Sequence, residues 1–358
     1  MTRLRSSLRT GYTTGTCAAA AAKGAALVLA GTPATAIEVS LPGNETARIP
    51  VHESGRGGGG AFCAVIKDAG DDPDITNGAC ICATITLRET DEIIIAAGAG
   101  VGMVTRPGLA VAPGKPAINP VPERMICASV REVLPVWQGA HVTISVAGGA
   151  ELAKKTLNPR LGIVGGISIL GTTGLVIPYS HQAYRDSIVC AFDVIQAMGL
   201  HSAVLCTGRS SEKEAQRVYN TLPEAAFVLM ADYFSFAVQE AARHGMARII
   251  IAGFPGKLLK MAAGAECTHY RKADIDLSLL ADLARRSGMT EHDAHGISRA
   301  HTARHALDFI PIEFNGRLFA QLAEMIRTRI REMGNPSAGA EVLLLSYNGG
   351  VLFHEKNH

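Results

Sequence analysis

The sequence has 358 residues, and at roughly 150 residues per domain this length predicts two domains. Apolar residues make up 47% and charged residues 18%, with a formal net charge of +2, which is typical of a soluble globular protein. This composition excludes collagen, long coiled coils and intrinsic disorder, and the weak net charge with 5% aromatic residues argues against a basic nucleic-acid-binding protein.

Targeting signals are weak in this sequence. Basic residues precede an apolar run over residues 18–30, as in a signal peptide, but Lys23 and Gly24 interrupt that run. The longest uncharged stretch, residues 161–184, contains glycines and Pro178, which disfavours a membrane helix. The eight cysteines form no C-x-x-C pair, so we expect reduced thiols, no structural zinc site and a cytoplasmic protein.

The first part of the chain predicts an α+β domain with a mixed sheet over residues 1–185. Thr14 or Thr16 can cap a helix that runs to about Ala30, and its alanines permit close packing against a neighbour. Further along, apolar spacing indicates a helix over residues 120–134, a strand over 142–146 and a short helix over 150–157. Short β-type segments separate the first helix from the second: 37–41, 47–52, 61–67, 82–88 and 92–97.

The second part predicts a Rossmann-like parallel α/β domain over residues 186–334, because strands alternate with helices there. Helices are predicted at residues 186–198, after residue 209, up to residue 244, at 275–286 and at 316–333, and strands at 203–206, 226–230 and 248–252. Residues 341–347 and 351–353 resemble a closing hairpin around Asn348-Gly349-Gly350. As an alternative to a place in the second domain, residues 335–358 could complete the first domain.

Hydroxyl groups concentrate just before the first helix. Thr10, Tyr12, Thr13, Thr14 and Thr16 lie in a stretch of 37 residues with four Lys or Arg and no acid. Hydroxyls, backbone amides and the positive end of a helix favour an anion, so this segment is a candidate anion site. An ordinary capped helix remains the alternative.

Aspartates crowd a strand end in residues 67–74. Four carboxylates, on Asp68, Asp71, Asp72 and Asp74, fall within seven residues. Carboxylates this close together must be solvated, bind a cation, or share a proton, in which case the pKa of one carboxyl is raised. Two interpretations remain open: the aspartates are turn residues that cap local amides, or they form a base or cation site. Their spacing is not that of an EF-hand loop.

A glycine-rich segment over residues 158–174 is the third candidate. Its glycines permit close backbone approach to a flat or phosphorylated ligand, although they do not form G-x-G-x-x-G in register. Its polar side chains are Asn158, Arg160, Thr172 and Thr173 among others.

Loops at the carboxyl ends of the second domain's strands are the usual ligand sites of parallel sheets. They contain Thr207, Gly208, Arg209, Asp232, Gly253, Phe254 and Gly256. Asp232 could hold ribose hydroxyls or could be a surface acid. The histidines His292, His295, His301 and His305 do not form H-E-x-x-H, so we predict no metal site, and His269 is the better functional candidate.

Sequence blocks in a fixed order identify a resemblance. They are TGYTTGTCAAAAAK (10–23), KDAGDDPDITNG (67–78), GVGMVTRPGL (100–109), PGKPAINPVP (113–122), the glycine-rich segment (158–174), GFPGKLLKMAAG (253–264), and Thr268-His269 with Asp274. In that order they resemble the cobalt-precorrin-5B C(1)-methyltransferases, the CbiD family of cobalamin biosynthesis. The chain departs from the family at Cys267 and Tyr270, where Asn and Ser are usual, and at His301, where Asn is usual.

The resemblance implies transfer of a methyl group from S-adenosylmethionine to C(1) of cobalt-precorrin-5B, giving cobalt-precorrin-6A. Cobalt is then part of the substrate only, and the partner is a small corrinoid, with homo-oligomerisation left open and no nucleic acid or membrane expected. A large polycarboxylate suits the acid-free N-terminus. A non-catalytic corrinoid carrier and a phosphate-binding metabolite kinase are the alternatives, although the kinase lacks a G-x-x-x-x-G-K-[ST] loop.

This interpretation gives each candidate residue a role. The catalytic candidates are Asp68, Asp71, Asp72 and His269. The substrate-binding candidates are Thr10, Tyr12, Thr13, Thr14, Thr16, Asn158, Arg160, Thr172 and Thr173. The candidates for binding S-adenosylmethionine are Thr207, Gly208, Arg209, Asp232, Gly253, Phe254 and Gly256.

Overall fold

A computed structural model of the chain describes residues 8–269, 273–334 and 338–354. The basic residues Arg3 and Arg5, and residues 270–272 of the motif around His269, lie outside the described residues. The chain divides into two compact units between His181 and Gln182. Across the described ranges, no helix is both long enough and apolar enough to cross a membrane.

The first unit combines strands with three described helices. Its elements are β1 (Gly11–Tyr12), α1 (Thr14–Ala30), β2 (Ala36–Ser40), β3 (Thr46–Gly57), β4 (Gly60–Ile66), β5 (Cys80–Arg88), β6 (Ile93–Ala97), β7 (Gly100–Val101), β8 (Met103–Val104), α2 (Pro120–Arg131), β9 (Gly139–Val146), α3 (Gly149–Ala153), β10 (Ile163–Val164), β11 (Gly166–Ile167) and β12 (Leu175–Val176). The predicted helices and main strands are confirmed, while the two-residue strands were not predicted.

Six strands of the first unit form one mixed sheet in the order β2-β3-β4-β5-β9-β6. Neighbours are antiparallel except β6 and β9, which are parallel, so the predicted mixed sheet is confirmed. Helix α1 packs on this sheet because its residues Ala18 to Ala22 are all fully buried and present almost no side-chain bulk. Helix α2 packs against α1 and adds Ile126 and Val130 to the same core.

The second unit contains eight described helices, two short 3₁₀ turns and five strands. Its helices and strands are α4 (His181–Ala197), β13 (Ser202–Cys206), α5 (Arg209–Val218), β14 (Phe227–Leu229), α6 (Phe234–Arg243), β15 (Arg248–Gly253), α7 (Pro255–Ala262), α8 (Leu277–Arg286), α9 (Glu291–Ser298), α10 (Ala303–Leu307), α11 (Asn315–Glu332), β16 (Gly339–Leu345) and β17 (Val351–His354). Helices α9 and α10 were not predicted.

The five strands form one sheet in the order β14-β13-β15-β16-β17. The first four are parallel and β17 runs antiparallel at the edge. Counted within the unit, this is the order 2-1-3-4-5, one of the two common doubly wound arrangements, and it differs from the 3-2-1-4-5-6 order of dinucleotide-binding domains. A parallel α/β layer is therefore present, with the strand order of the flavodoxin type.

The two faces of this sheet are covered unequally. One face packs on a large core that receives residues from α4 and from α6 to α11, whereas the other face packs mainly on Ala215 of α5 and on Tyr219, which directly follows this helix. On that second face Glu341 is 3% exposed, and its carboxylate pairs with the Arg248 guanidinium through contacts of 2.7 and 2.9 Å and accepts from the Tyr219 hydroxyl at 3.1 Å. This pair of a buried carboxylate with a partly exposed guanidinium joins β15 to β16.

The alternative placement of residues 335–358 in the first domain is wrong. Strand β16 pairs in parallel with β15 from Arg248 to Gly253, and its residues Val342 to Leu345 are buried in both cores of the second unit. A strand with apolar side chains on both faces needs a sheet that is covered on both sides. The second unit offers such a sheet, and the predicted hairpin of β16 with β17 is confirmed.

Candidate functional site

In the first unit the N-terminal segment, residues 8–13, crosses the aspartate loop, residues 67–74. The Tyr12 amide donates to the Asp68 carbonyl at 2.7 Å, and the Asp71 amide donates to the Arg9 carbonyl at 2.9 Å. The two backbones touch where each has a glycine. A Cβ on Gly11 would lie 2.0 Å from the carbonyl carbon of Ala69, and one on Gly70 would lie 2.2 Å from the Arg9 carbonyl oxygen. Glycine is therefore required at both positions.

The threonine side chains next to this crossing are mostly used inside the protein. Thr13 caps α1 by accepting from the Thr16 amide at 3.2 Å, and Thr16 donates to the Gly174 carbonyl at 2.7 Å. The Thr14 hydroxyl donates to the Ser168 carbonyl at 3.1 Å and accepts from the Leu170 amide at 2.9 Å. These three threonines are buried, so they hold the glycine-rich segment and do not present hydroxyls to a ligand. The predicted role in substrate contact remains for the exposed Thr10 and the half-buried Tyr12.

Three aspartates of the loop accept hydrogen bonds from other segments. Asp68 forms a two-point pair with the Arg9 guanidinium at 2.5 and 2.9 Å, and Asp71 accepts from the Arg9 amide at 2.6 Å. Asp72 accepts from the Tyr179 amide at 2.9 Å. The Arg9 guanidinium, with the Gly70 amide, holds the pKa of Asp68 below its ordinary value. Asp68 is therefore ionised, and the three aspartates tie loops together, which favours the capping alternative of the sequence analysis.

Asp74 forms an ion pair with a buried lysine. Lys67 is 1% exposed, and its Nζ lies 2.7 Å from Asp74 Oδ2. Burial raises the pKa of Asp74, but the bonds from Lys67 and from Thr76 outweigh burial and leave it below its ordinary value. Nearby, burial raises the pKa of Cys17 to about 12, so this thiol is not a nucleophile near neutral pH.

The glycine-rich segment has a buried end and an exposed end. Asn158 is buried and bonds through its side chain to the Gly166 carbonyl at 3.1 Å and to the Ser168 hydroxyl at 3.3 Å, so it acts within the protein. Arg160 is half-buried, and its carbonyl accepts from Arg106 at 2.8 Å. At the other end Thr172 and Thr173 are exposed.

Exposed apolar side chains accompany these hydroxyls. Leu170, Ile177 and Tyr179 are 48%, 57% and 68% exposed, and they flank Thr172 and Thr173 along the chain. The segment is attached to the N-terminal segment by the pairing of β1 with β12 and to the aspartate loop through the Tyr179 amide. We call Thr10, Tyr12, Leu170, Thr172, Thr173, Ile177 and Tyr179 the first-unit surface. It combines hydroxyl donors with apolar area, which suits a flat ligand with a polar rim.

In the second unit the predicted loops do meet at the carboxyl ends of the strands. Strand β13 leads to Thr207 and Gly208, β14 leads to Asp232 and β15 leads to Phe254. A Cβ on Gly253 would lie 2.8 Å from the Thr207 side chain, so glycine lets the first and third of these loops approach. A Cβ on Gly208 would meet nothing within 4 Å, so this position opens onto free space. The exposed Arg209 follows as the first residue of α5.

Asp232 forms the centre of a polar cluster at these strand ends. Lys257 Nζ lies 3.0 Å from Asp232 Oδ1, and the Thr268 hydroxyl donates to the same oxygen at 2.9 Å. Burial raises the pKa of Asp232, but Lys257, Thr268 and the charge of His269 outweigh burial and leave it below its ordinary value. The buried Lys260 donates to the Thr268 carbonyl at 3.1 Å and fixes that segment.

Two aromatic rings lie at the neighbouring strand ends. Phe254 after β15 and Tyr347 after β16 stack with ring centroids 5.3 Å apart and planes 13° apart. The Gly256 amide donates to the Tyr347 hydroxyl at 3.1 Å, and the Arg304 guanidinium lies 5.4 Å from the Tyr347 ring. Half-buried rings of this kind offer a flat apolar wall to a planar ligand.

The histidine candidates divide. His269 acts electrostatically on Asp232, so it belongs with the strand-end cluster of the second unit. His301 and His305 stack with centroids 5.9 Å apart on the surface. In the ranges that the structure describes, no group of three or more His, Cys, Asp or Glu is arranged to hold a metal ion.

Sequence reasoning missed Lys257, Thr268 and Tyr347 as site residues. Lys257 lies in the block at residues 253–264, and Pro255, at a position that suits proline, begins α7 and places Lys257 in the first turn of this helix. Thr268 directly precedes the candidate His269, and its contact with Asp232 spans 36 residues of sequence. The proline shortly after an apolar strand indicates where α7 begins, but it does not show that Lys257 reaches the ends of the neighbouring strands.

Comparison with known proteins gives a consistent result. The sequence matches the CbiD family over residues 1–178 and the CbiD C-terminal domain over residues 267–356. A cobalt-precorrin-5B C(1)-methyltransferase of Rubrobacter xylanophilus is 48% identical over 86% of this chain and 81% of its own length. One of Geobacter metallireducens with the same name is 44% identical over 97% of this chain and 98% of its own. A crystal structure of a cobalamin biosynthesis protein (cbiD) from Archaeoglobus fulgidus is 32% identical, covers 79% of this chain and 85% of its own, and has a TM-score of 0.40.

Proposed function

Because this chain belongs to the CbiD family, it is a methyltransferase of cobalamin biosynthesis acting at C(1) of cobalt-precorrin-5B, and we propose which of its residues bind the two reactants. We assign the methyl donor, S-adenosylmethionine, to the strand ends of the second unit. We assign the corrinoid to the first-unit surface. The observation that carries the assignment of the donor is the anchored Asp232 carboxylate at the carboxyl ends of parallel strands.

The strand-end residues fit an adenosyl ligand chemically. The ionised Asp232 accepts hydrogen bonds, as ribose hydroxyls require, and the Phe254–Tyr347 pair offers apolar ring faces to a base. Gly208 opens onto free space, so ligand atoms can approach its backbone. Thr207, Arg209, Gly253 and Gly256 shape the loops around these groups.

The first-unit surface fits a corrinoid for a different reason. A corrinoid is a broad ring with many carboxylates on its rim, and Thr10, Tyr12, Thr172 and Thr173 offer hydroxyl donors to such groups. The exposed Leu170, Ile177 and Tyr179 offer contact to the ring. Arg160 and the Arg9 guanidinium supply positive charge, although Asp68 partly neutralises Arg9.

The residues needed for chemistry are few. S-adenosylmethionine supplies a methyl group already activated by the sulfonium, so the chain contributes mainly alignment of the two reactants. We keep Asp68, Asp71, Asp72 and His269 as candidates for moving a proton. Of the three aspartates, Asp68 and Asp71 are exposed to solvent, which leaves them accessible to a ligand.

Calorimetry with S-adenosylhomocysteine tests the assignment of the donor. Gly208→Trp should lose binding at least tenfold, because its indole fills the free space at the end of β13. Gly43→Trp is the matched control, since a Cβ there also meets nothing within 4 Å but lies in a turn of the first unit.

Equal affinity of Gly208→Trp and the wild type would remove this loop from the site. Release of S-adenosylhomocysteine on anaerobic incubation with the corrinoid separates an enzyme from a corrinoid carrier, which would release none.

A further inference from the structure

Two donors converge on one oxygen of Asp232. Lys257 Nζ lies 3.0 Å from Oδ1, and the Thr268 hydroxyl lies 2.9 Å from the same atom. Lys257 also donates to the carbonyls of Thr207 and Ala231 at 3.1 and 3.2 Å. Both contacts are made at Oδ1, so the carboxylate is held through that oxygen.

We propose that Lys257 and Thr268 are positioning residues that fix the Asp232 carboxylate so that Oδ2 accepts the ribose hydroxyls of S-adenosylmethionine. An ionised carboxylate oxygen has two lone pairs, which match two neighbouring hydroxyl groups. This inference rests on the proposed function, because it takes the adenosyl site at the strand ends as given.

The backbone before Asp232 supports this role. Ala231 has a φ of +48°, in the left-handed region that alanine rarely adopts. Such a conformation persists only where surrounding contacts impose it, and it is found disproportionately at ligand sites. Here the Ala231 carbonyl is one of the acceptors of Lys257, so the lysine holds both the strained residue and the acid that follows it.

The charges around Asp232 predict how binding depends on pH. Burial raises the pKa of this carboxyl, whereas Lys257 on α7, and Thr268 and His269 after it, lower this pKa. Burial raises the pKa of Tyr184 on α4 and of Tyr233, the residue before α6, and the Asp232 charge adds to this rise in both phenols. Arg209 and Glu212 of α5 act on the same Tyr184. When Lys257 is removed, the effect of burial on the pKa of Asp232 is less opposed, and this pKa rises. The carboxyl then becomes protonated at a higher pH than in the wild type.

The test is calorimetry of S-adenosylhomocysteine with the full chain between about pH 5 and pH 8, the range in which an acid with a raised pKa titrates. The variants are Asp232→Asn, Lys257→Met, Lys257→Arg and Thr268→Val. Asp232→Asn should weaken binding about tenfold or more at every pH, because it removes a charged acceptor. Lys257→Met should weaken binding progressively as the pH falls, while Lys257→Arg keeps the flat wild-type profile.

Two further variants separate positioning from a general structural role. Thr268→Val should weaken binding a few-fold without a change in circular dichroism. Asp232→Asn combined with Lys257→Met should bind no more weakly than Asp232→Asn alone and should show no pH dependence, because the lysine acts through the carboxylate.

The outcomes distinguish two failures. If the wild type does not bind S-adenosylhomocysteine, or Asp232→Asn binds as the wild type does, the adenosyl site itself is misassigned. If Asp232→Asn is weak but Lys257→Met has the wild-type pH profile, whether its affinity is unchanged or uniformly reduced, the positioning role is overturned and the site stands. Should Lys257→Met fail to fold, unchanged affinity in Thr268→Val would overturn the role instead.

Discussion

The threonine hydroxyls of the first unit form two groups that differ in burial and in role. Thr13, Thr14 and Thr16 are buried and bond within the protein, whereas Thr172 and Thr173 are exposed at the end of the glycine-rich segment, where Thr173 makes only long bonds of 3.3 and 3.4 Å to the Leu175 backbone. The sequence does not distinguish the groups, because both lie in Thr-Gly-rich stretches. Burial assigns the first group to stability and leaves the second for binding.

This division predicts opposite effects for two similar substitutions. Thr14→Val should cost about 1–3 kcal/mol of stability, because it leaves the Leu170 amide without its 2.9 Å acceptor. Thr172→Val combined with Thr173→Val should change stability by less than about 0.5 kcal/mol and weaken corrinoid binding. Urea unfolding and titration of the corrinoid absorption spectrum measure the two quantities. This division would be contradicted if the double variant were unfolded, or if it bound the corrinoid with wild-type affinity.

At the scale of elements, local patterns predicted the long helices and strands well. Helix α1 follows from a threonine cap and an alanine run, and the hairpin of β3 and β4 follows from the Gly58–Gly59 turn, where both φ values are positive. The two-residue strands were missed because such pairs depend on partners far along the chain. Helices α9 and α10 were missed although Thr290 and Thr302 cap them, because both helices are short.

The packing of α1 on β4 gives a prediction at this scale. Gly24 lies against Cys63, and a Cβ on Gly24 would lie 2.4 Å from the Cys63 Sγ. Gly24→Ala should therefore lower stability by about 1–3 kcal/mol through overpacking, although alanine favours a helix. Thermal unfolding should show a smaller loss of stability when Gly24→Ala is combined with Cys63→Ala than when Gly24→Ala is made alone. A variant Gly24→Ala more stable than the wild type would show that α1 can move away from the sheet.

The candidate site shows where sequence reasoning stops. Asp232 was identified because an acid soon after a strand can be placed at a sheet edge without knowing the fold. Lys257 could not be identified in this way, because its reach to the ends of β13 and β14 depends on how α7 is placed across them. Residues that bind directly after a strand are predictable, whereas those that act across elements need the structure.

At the scale of the whole molecule, each unit has its own core, and β16 returns from the end of the chain to the second one. The second unit is therefore continuous from α4 to β17. The alternation of strands with helices up to residue 334 could be predicted from the local sequence. The position of β16 in the sheet could not, because its partner β15 lies far earlier in the chain.

Two fragments test this organisation. Residues 181–358 should fold and bind S-adenosylhomocysteine, because they contain the whole sheet and the strand-end cluster. Residues 181–334 should not fold, because the loss of β16 exposes β15 and removes Val342 to Leu345 from both cores. Circular dichroism and calorimetry decide between these results. A cooperatively folded shorter fragment would show that the end of the chain is dispensable.

The pairing of β1 with β12 bears on how the protein is made. Gly11 and Tyr12 leave the ribosome early, but their partners Val176 and Leu175 follow only when nearly all of the first unit has been synthesised. Closing so long a loop is entropically costly and slow, so shorter-range hairpins form sooner. During translation β1 therefore stays unpaired until residue 176 has been synthesised, so the first unit is completed only after its last strand has emerged.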